Sequence, residues 1–395
     1  MIKINTDEDR IHYLSKVMSL AFLIGLFISY KLWLSNRDFP LCPIFDFDFI
    51  QFHNKSLDTF FLSAFVLLLF LSVIYSNLII LGITILILSL FICQDINRLQ
   101  PWVYIYFTFY LLIFISKLLK RNYLNSFQLV LIAIYFWSGI HKLNHNFIDI
   151  TFQTILIDFF KIPANSITPE LLHRGYIIPI IEILGAICLI FPKSRLYGIA
   201  LNVVTHIFIL IFLSPLGINY NQIVYPWNFA MIFFVLILFY KKSNFVFENI
   251  RSDLKSDWVR ISILWLFGIM PIFNFIGFYD DYLSFSLYSD KNKRFFIAIS
   301  DKYTNLLNHQ FDDCLIELSA NTEGGIVIDA NKWALQELNV PIYPEYRVFS
   351  QVSQYFCKKN IPESDLIFLA YPQPMSNENM IKWTCNKALV PSKIN

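Results

Sequence analysis

The chain has 395 residues, of which 56% are apolar and only 15% charged, and its formal net charge is +2 at pH 7. Soluble chains carry about 25% charged residues, so this composition excludes an ordinary soluble protein and predicts a chain largely embedded in lipid. The nearly neutral charge balance gives no reason to expect a nucleic-acid partner.

The apolar residues are grouped in about nine runs, each close to the length that crosses a bilayer as a helix. No cleavage site of small residues follows the first run, so we expect it to be retained as the first helix. The predicted spans, in chain order, are 17–35, 58–75, 77–93, 102–118, 126–142, 176–192, 197–214, 224–240 and 259–278.

Basic residues follow the fourth, sixth and eighth predicted spans, so the three basic loops fall on one side of the membrane. Positive charge marks the cytoplasmic side. We therefore predict an integral protein of a bacterial inner membrane, with a cytoplasmic N-terminus and everything after about residue 279 outside the cytoplasm. The basic residues are Lys117, Lys120, Arg121, Lys193, Arg195, Lys241, Lys242, Arg251, Lys255 and Arg260.

The long connection 143–175 separates the fifth and sixth predicted spans. It contains FIDITFQTILIDFF, in which apolar residues far outnumber Asp149 and Asp158. An amphipathic segment of this kind is typical of a helix that lies along a membrane surface. We predict an interfacial helix at the outer surface.

Beyond residue 279 the hydropathy falls and short alternating runs replace the spans. RFFIAIS (294–300) and GGIVIDA (324–330) are predicted strands. NKWALQEL (331–338) is a predicted helix that Pro341 and Pro344 bring to an end. These runs predict a small α+β domain.

The predicted fold is therefore an all-α polytopic membrane helical bundle over residues 1–278, followed by a small extracytoplasmic α+β domain over 279–395. Six cysteines form no CxxC pair and no Cys/His zinc spacing, so no metal site is predicted. One disulfide among the three cysteines after residue 279 suits an oxidising compartment, and the pairing stays open. These cysteines are Cys314, Cys357 and Cys385.

The segment YFWSGIHKLNHNF (135–147) closes the fifth predicted span and centres on Lys142. A Lys at a membrane boundary either extends its amine to water or, when it is partly desolvated, becomes a neutral amine that acts as a base. Gly139, one turn earlier, permits the close approach of another helix or of a flat ligand. His141 and Asn144 place donors and acceptors beside the amine.

Three further polar groups lie inside predicted spans, where ionisable and polar side chains are costly and usually face a cavity or a partner. Asn202 and His206 are four residues apart and share one helix face. His206 either bonds to another helix or belongs to a site. Glu182 pairs with Lys142 or with Arg174, or joins the same site. The neighbouring Trp227 and Asn228, at the outer start of the eighth predicted span, are typical of an interfacial belt.

The segment 135–147, with the THIF segment around His206 and the SPL turn after it, resembles the vitamin K-dependent γ-carboxylase family and its bacterial relatives, the horizontally transferred transmembrane (HTTM) proteins. The resemblance covers roughly residues 60–240. It implies a membrane enzyme in which Lys142 deprotonates a reduced quinone of the vitamin K or menaquinol type, linked to oxygen and carbon dioxide chemistry on a protein or peptide substrate. It implies His206 as a second catalytic residue. The residues implied around the cofactor are Gly139, His141, Asn144, Glu182 and Asn202.

The chain departs from that family at His141, where the carboxylases carry a second Lys, and at Asn144, where they carry an acidic residue. Its C-terminal domain is also far shorter. The first hypothesis is thus a lyase or oxidoreductase of this type that binds a quinol within membrane lipid. The alternative is a non-catalytic membrane protein whose helices anchor the outer domain for a partner. A solute transporter is disfavoured because no inverted repeat is recognisable.

Overall fold

The computed structural model describes residues 6–45, 55–247, 257–306, 311, 314–317, 325–359, 361–372 and 379–386. Parts of two predicted loops, including Arg251 and Lys255, lie outside the described residues. The chain divides into two compact units. Unit 1 comprises residues 1–28, 60–89 and 101–290, and unit 2 comprises 29–59, 90–100 and 291–395. The predicted boundary between residues 278 and 279 stays a prediction.

Apolar helices build unit 1, and two of them, α2 and α3, continue into unit 2. Many of their large side chains are exposed in the absence of lipid, which is the surface expected of a bundle that faces a bilayer. The helices are α1 (Asp7–Ile28), α2 (Lys55–Ile74), α3 (Leu78–Gln94), α4 (Pro101–Leu119), α5 (Leu124–Lys142), α6 (Pro169–His173), α7 (Ile177–Ile190), α8 (Arg195–Leu213), α9 (Val224–Phe239) and α10 (Trp258–Ile263).

Seven helical stretches among the described residues are long and apolar enough to cross a membrane, rather than the nine predicted. Two of the seven are composite: Pro169–Ile190 includes α6 and α7, and Trp258–Ile276 begins with α10. The mostly helical character and the small C-terminal sheet domain are confirmed. The two remaining apolar helices are shorter, with 17 residues in α3 and 16 in α9. α3 ends at Gln94, where Asp95 accepts from the backbone N–H of Asn97 and begins a tight 3-10 turn.

Two helices depart from their predicted form at the ends of unit 1. α1 begins ten residues before the predicted span because Thr6 and Asp9 bond to each other's backbone N–H, as in a capping box. After α10 the chain continues as a π-helix, Leu264–Ile269, and a 3-10 helix, Met270–Ile276. Pro271 lies at the start of that last segment and prevents a regular α-helical ladder.

The connection between α5 and α6 is helical in part, as predicted, but it winds as two π-helical segments, Phe147–Phe152 and Ile155–Phe159. Phe147, Phe152 and Ile155 are buried, whereas both aspartates of the segment are exposed. The segment is therefore amphipathic. Its position on the membrane surface stays a prediction.

Glycines let α5, α7 and α8 pack closely against one another. A Cβ atom on Gly139 would lie 2.9 Å from the carbonyl oxygen of Pro179 on α7. A Cβ atom on Gly198 of α8 would lie 2.8 Å from the backbone nitrogen of Leu189 and 2.9 Å from the carbonyl oxygen of Gly185. Small residues at these crossings bring the helix backbones together, as is common in membrane bundles.

A five-stranded antiparallel sheet forms the centre of unit 2, in the order β2-β3-β1-β4-β5. The predicted strand 294–300 is confirmed as the central strand, with Ile297 opposite Ile328 on one side and Phe368 on the other. The strands are β1 (Arg294–Ser300), β2 (Leu315–Glu317), β3 (Gly325–Asp329), β4 (Leu366–Tyr371) and β5 (Ile381–Trp383).

Two helices complete the domain, α11 (Ala330–Leu338) and α12 (Tyr346–Cys357). The helix predicted at 331–338 is present, but it ends at Asn339 in the left-handed conformation, before either proline is reached. Phe349 of α12 stacks on Phe295 of β1 with ring centroids 5.0 Å apart.

The disulfide joins Cys357 at the end of α12 to Cys385 after β5. Cys314 lies outside this bond, and its buried thiol donates to Oε1 of Gln336 at 2.8 Å. The sequence predicted one bond among these three cysteines and left the pairing open. The pairing depends on which two cysteines lie close together, and this is determined only when α12 packs against the sheet.

The loops after α1 and after α3 are integral parts of unit 2. A buried ion pair joins Arg37 to Asp95, and Arg98 donates to the carbonyl oxygens of Leu32 and Phe91, both at 3.0 Å. These loops also bond to the C-terminal domain, because the backbone N–H of Tyr343 donates to the side chain of Asn97 at 2.9 Å. Three separate stretches of chain therefore form one core.

Candidate functional site

A pocket of about 60 Å³ opens within unit 1 among α5, α7, α8, α9 and the segment 282–290, which we call the strap. Lys142, Glu182 and His206 all line it. They lie within about two turns of the ends of their helices, at the end of the bundle where α5 and α8 finish and α7 and α9 begin. The other lining residues are Ile134, Tyr135, Ser138, Thr205, Ile209, Trp227, Asn228, Met231, Leu287 and Tyr288.

Lys142 forms a buried ion pair with Glu182. Its Nζ atom lies 2.9 Å from Oε2 of Glu182 and 2.5 Å from the hydroxyl oxygen of Ser138, one turn earlier on α5. The two charged side chains are 9% and 7% exposed. Of the two partners considered for Glu182 from the sequence, the structure selects Lys142. Opposite charges that are buried together compensate each other, and removing either one would leave the other without a partner.

His206 stands in a chain of hydrogen bonds that fixes its tautomer. The amide nitrogen of Asn228 donates to the carbonyl oxygen of Val224, so Oδ1 of Asn228 is left to accept from Nδ1 of His206 at 2.7 Å. Nε2 of His206 then accepts from the hydroxyl group of Tyr135 at 2.8 Å. Both ring nitrogens of a neutral imidazole are thus engaged.

The strap covers one side of the pocket with Leu287 and Tyr288. Tyr288 is one of three non-glycine residues of the strap in the left-handed region, with φ of 49°. Such backbone is costly and persists where neighbours hold it. Asn144 donates to the carbonyl oxygen of Ser289 at 3.0 Å, and Asn146 donates to that of Asp290 at 3.1 Å.

The other residues predicted for the site lie outside the pocket lining. Gly139 faces α7, and Asn202 donates to the carbonyl oxygen of Gly198 within its own helix at 2.8 Å. The ring of His141 stacks on Phe275 with centroids 4.8 Å apart. Asn144 supports the strap. The roles assigned to these residues from the sequence stay predictions.

Sequence reasoning missed the other ten residues of the pocket, and four of them carry polar groups in segments that it had discussed. Tyr135 and Ser138 lie in the segment that was singled out, two turns and one turn before Lys142, so helical spacing was the available signal. Trp227 and Asn228 were assigned to an interfacial belt. Nothing in their local pattern indicates that Asn228 meets His206 on another helix.

The arrangement limits what these groups can do chemically. A general base must present a free lone pair, but the amine of Lys142 is paired with a carboxylate and both nitrogens of His206 are hydrogen-bonded. The resting pocket is therefore a neutral, hydrogen-bonded site. Either group becomes a base only after its present partner moves.

Residues 120–224 match the family model described as methylamine utilisation protein MauE. The match covers α5 to α8 and reaches the first residue of α9, which is well under half of the chain. Comparisons with curated proteins and with solved structures give no match. The likeness is therefore to one stretch of unit 1, and it includes the Lys142, Glu182 and His206 positions.

This match overturns the resemblance to the γ-carboxylase and HTTM proteins, because the segments that carried the resemblance fall inside the stretch that matches MauE. The structure supplies a physical reason for the error. α7 lies so close to Gly139 that a larger side chain would not fit there, and Glu182 of α7 pairs with Lys142 of α5. A pattern of aromatic, glycine and lysine residues at a helix end can therefore arise from packing alone. What is shown is an integral membrane protein with a MauE-like segment.

Proposed function

We propose that the chain is a non-catalytic integral membrane protein whose helices hold unit 2 at the extracytoplasmic surface for interaction with a partner. The observation that carries this proposal is the composition of unit 2, in which two loops from between membrane helices are built into the core of the C-terminal domain. Besides the bond from Tyr343 to Asn97, Gln100 donates to the carbonyl oxygen of Pro341 at 3.0 Å and Lys31 pairs with Glu337 at 3.1 Å. A domain whose core includes these loops is attached to the membrane helices at several points of the chain.

The same assembly supports nine membrane crossings. The stretches 29–59, 90–100 and 291–395 form one compact unit and so lie on one side of the membrane. If α3 stopped short of crossing while α2 crossed, the first two stretches would lie on opposite sides. Residues 100 and 291 both belong to unit 2, so the chain must cross the membrane an even number of times between them. Five of the long spans lie in this stretch, so α9 has to be the sixth crossing. The short helices are then crossings that tilt little or end within the headgroup region.

Two features support an extracytoplasmic position for unit 2. The basic loops that follow α4, α7 and α9 fall on the opposite side under this topology, as positive charge on the cytoplasmic side requires. The disulfide between Cys357 and Cys385 suits an oxidising compartment.

A protease site inserted between Lys291 and Asn292 tests both orientation and attachment. We expect protease added outside spheroplasts to cut this site, and we expect the C-terminal fragment to stay with the membrane after washing, because the loops at Asn97 and Gln100 still hold it. The measurement is immunoblotting of membrane and soluble fractions with an epitope placed at the C-terminus.

The matched control carries the same site between Lys120 and Arg121, in the exposed turn between α4 and α5, and should be cut only after the membrane is permeabilised. Replacing Asn97 and Gln100 together by Ala should increase the released fraction. Immediate release of the fragment from the parent chain, or cleavage only after permeabilisation, would contradict the proposed function.

A reduced quinone in the pocket remains a prediction for this chain. The observation in its favour is that Lys142, Glu182 and His206 line one cavity. A cavity that accepts benzene measures about 150 Å³, so the pocket has to widen before a quinone ring can enter it. Extraction of bound quinone from protein purified with its native lipids tests this second candidate.

A further inference from the structure

The charged and imidazole groups of the pocket are buried, and its more exposed lining, which we call the mouth, is formed by Ile209, Leu287 and Tyr288. Lys142, Glu182 and His206 are buried, whereas Ile209 of α8 and Leu287 of the strap are half-exposed. Next to the mouth, the outward faces of α8 and α9 carry exposed apolar side chains that are expected to meet lipid. These include Val204, Ile207, Phe229 and Phe233. We therefore expect the mouth to face lipid.

Two hydrogen-bond donors in the pocket are available to a ligand. An ammonium group has three N–H donors, and Lys142 uses two of them, on Ser138 and Glu182. The indole Nε1 of Trp227 is buried and has no hydrogen-bond partner in the part of the chain that the structure describes. A buried donor is costly when it lacks an acceptor, so the pocket favours a ligand that brings an oxygen atom.

The net charge and the volume of the pocket further restrict the kind of ligand that can bind. The Lys142–Glu182 pair is neutral as a whole, so a charged head group would enter the pocket without a compensating partner. The cavity of about 60 Å³ is less than half of the roughly 150 Å³ that accepts benzene. The part of the ligand that enters is therefore small and uncharged. Its apolar part remains at the mouth, against Ile209 and Leu287.

We propose that this pocket binds the uncharged, oxygen-bearing head of a long-chain lipid, which enters between α8 and α9. Its hydroxyl or carbonyl oxygen accepts from Trp227 Nε1 and from the third N–H of Lys142, and its hydrocarbon chain leaves past Ile209. Anchoring of unit 2 does not require this ligand, so the two proposals stand or fall separately.

The test uses the full chain in detergent micelles with three photoreactive probes that carry the same diazirine on the same chain: hexadecanol, hexadecanoic acid and hexadecane. We expect hexadecanol to label the peptides around Ile209 and Met231 at the lowest concentration, and excess unlabelled hexadecanol to compete. The measurement is mass spectrometry of the labelled peptides across a range of probe concentrations.

Two variants locate the binding within the pocket. Trp227→Phe removes the N–H and keeps an aromatic ring, and we expect hexadecanol to bind about threefold to tenfold more weakly, the effect of one hydrogen bond. Ile209→Trp fills the mouth and should abolish labelling. Ile207→Trp, on the exposed face of the same helix, is the matched control and should label like the parent chain.

Thermal unfolding of each variant shows whether it is folded. If Ile209→Trp does not fold, the more conservative Trp227→Phe still tests whether the pocket binds the head group. Equal labelling by hexadecane would show that no polar head is recognised and would overturn the proposal. Tighter binding of hexadecanoic acid, or unchanged hexadecanol binding in Trp227→Phe, would overturn it as well.

Discussion

Replacing Glu182 by Leu should lower the free energy of unfolding by about 3–5 kcal/mol, because Lys142 would remain buried without its counter-charge. A loss of this size should lower the unfolding temperature of the purified chain by about 5 °C. The measurement is thermal unfolding in detergent, followed by tryptophan fluorescence. The exposed Glu170 provides the matched control, since the same change there should cost less than about 1 kcal/mol.

The double variant Lys142→Met with Glu182→Leu shows whether the loss comes from the unpaired charge or from altered packing. An apolar pair of similar volume is often as stable as a buried ion pair, so this variant should recover most of the loss. If the double variant were as unstable as Glu182→Leu alone, the cost would lie in packing around α7 rather than in an unpaired charge. If the single variant were neutral, the pair would contribute little to the bundle.

Replacing Gly198 by Ala should destabilise unit 1 by about 2–3 kcal/mol. The added methyl group would lie under 3 Å from the backbone of α7, and backbone atoms cannot rotate aside as a flexible side chain can. The helices would have to separate, and the contact between Asn202 and Gly185 would open with them. The same unfolding measurement detects the change.

Gly82 of α3 is the control for this substitution. A Cβ atom there meets the ring of Phe114 at 3.3 Å, which is a side-chain contact that can adjust. Because alanine is the better helix former by up to about 1 kcal/mol, Gly82→Ala should be neutral or slightly stabilising. Equal losses at Gly82 and Gly198 would point to a general effect of removing glycine and would contradict close packing of α7 and α8.

The sequence predicts those parts of this fold that local patterns determine. Hydropathy places most helix ends to within a few residues, and alternation places β1, because both follow from neighbouring residues. The predicted spans 17–35 and 259–278 are exceptions, since α1 covers Asp7–Ile28 and α10 covers only Trp258–Ile263. The polar first turns of α1 carry too few apolar residues to be recognised. A capping pattern at Thr6 and Asp9 was the signal that extends it.

The sequence does not predict contacts between distant segments. His206 meets Tyr135 across 71 positions and Asn228 across 22, and no periodicity connects the three helices. The ion pair of Arg37 and Asp95 joins two loops that had no assigned structure. Lys142 was recognised as the centre of its segment because a charge near a membrane span is conspicuous, but its partner was left open between two residues.

The mistaken family resemblance has the same origin. It rested on two short segments, each of which satisfies requirements that any tightly packed membrane helix imposes. The match to the MauE model extends over α5 to α8, and so it depends on the order of several elements rather than on one motif.

The way unit 2 is assembled has a consequence for biogenesis. Asn97 and Tyr343 are 246 residues apart, and Gln100 and Pro341 are 241 residues apart. At the usual rate of synthesis, the early loops wait on the order of tens of seconds before their partner strands emerge. During that delay, the side chains of Asn97 and Gln100 lack their partners in the C-terminal domain. A chain that terminates before β1 would insert its helices and still display an unfinished surface, which quality-control factors are able to recognise.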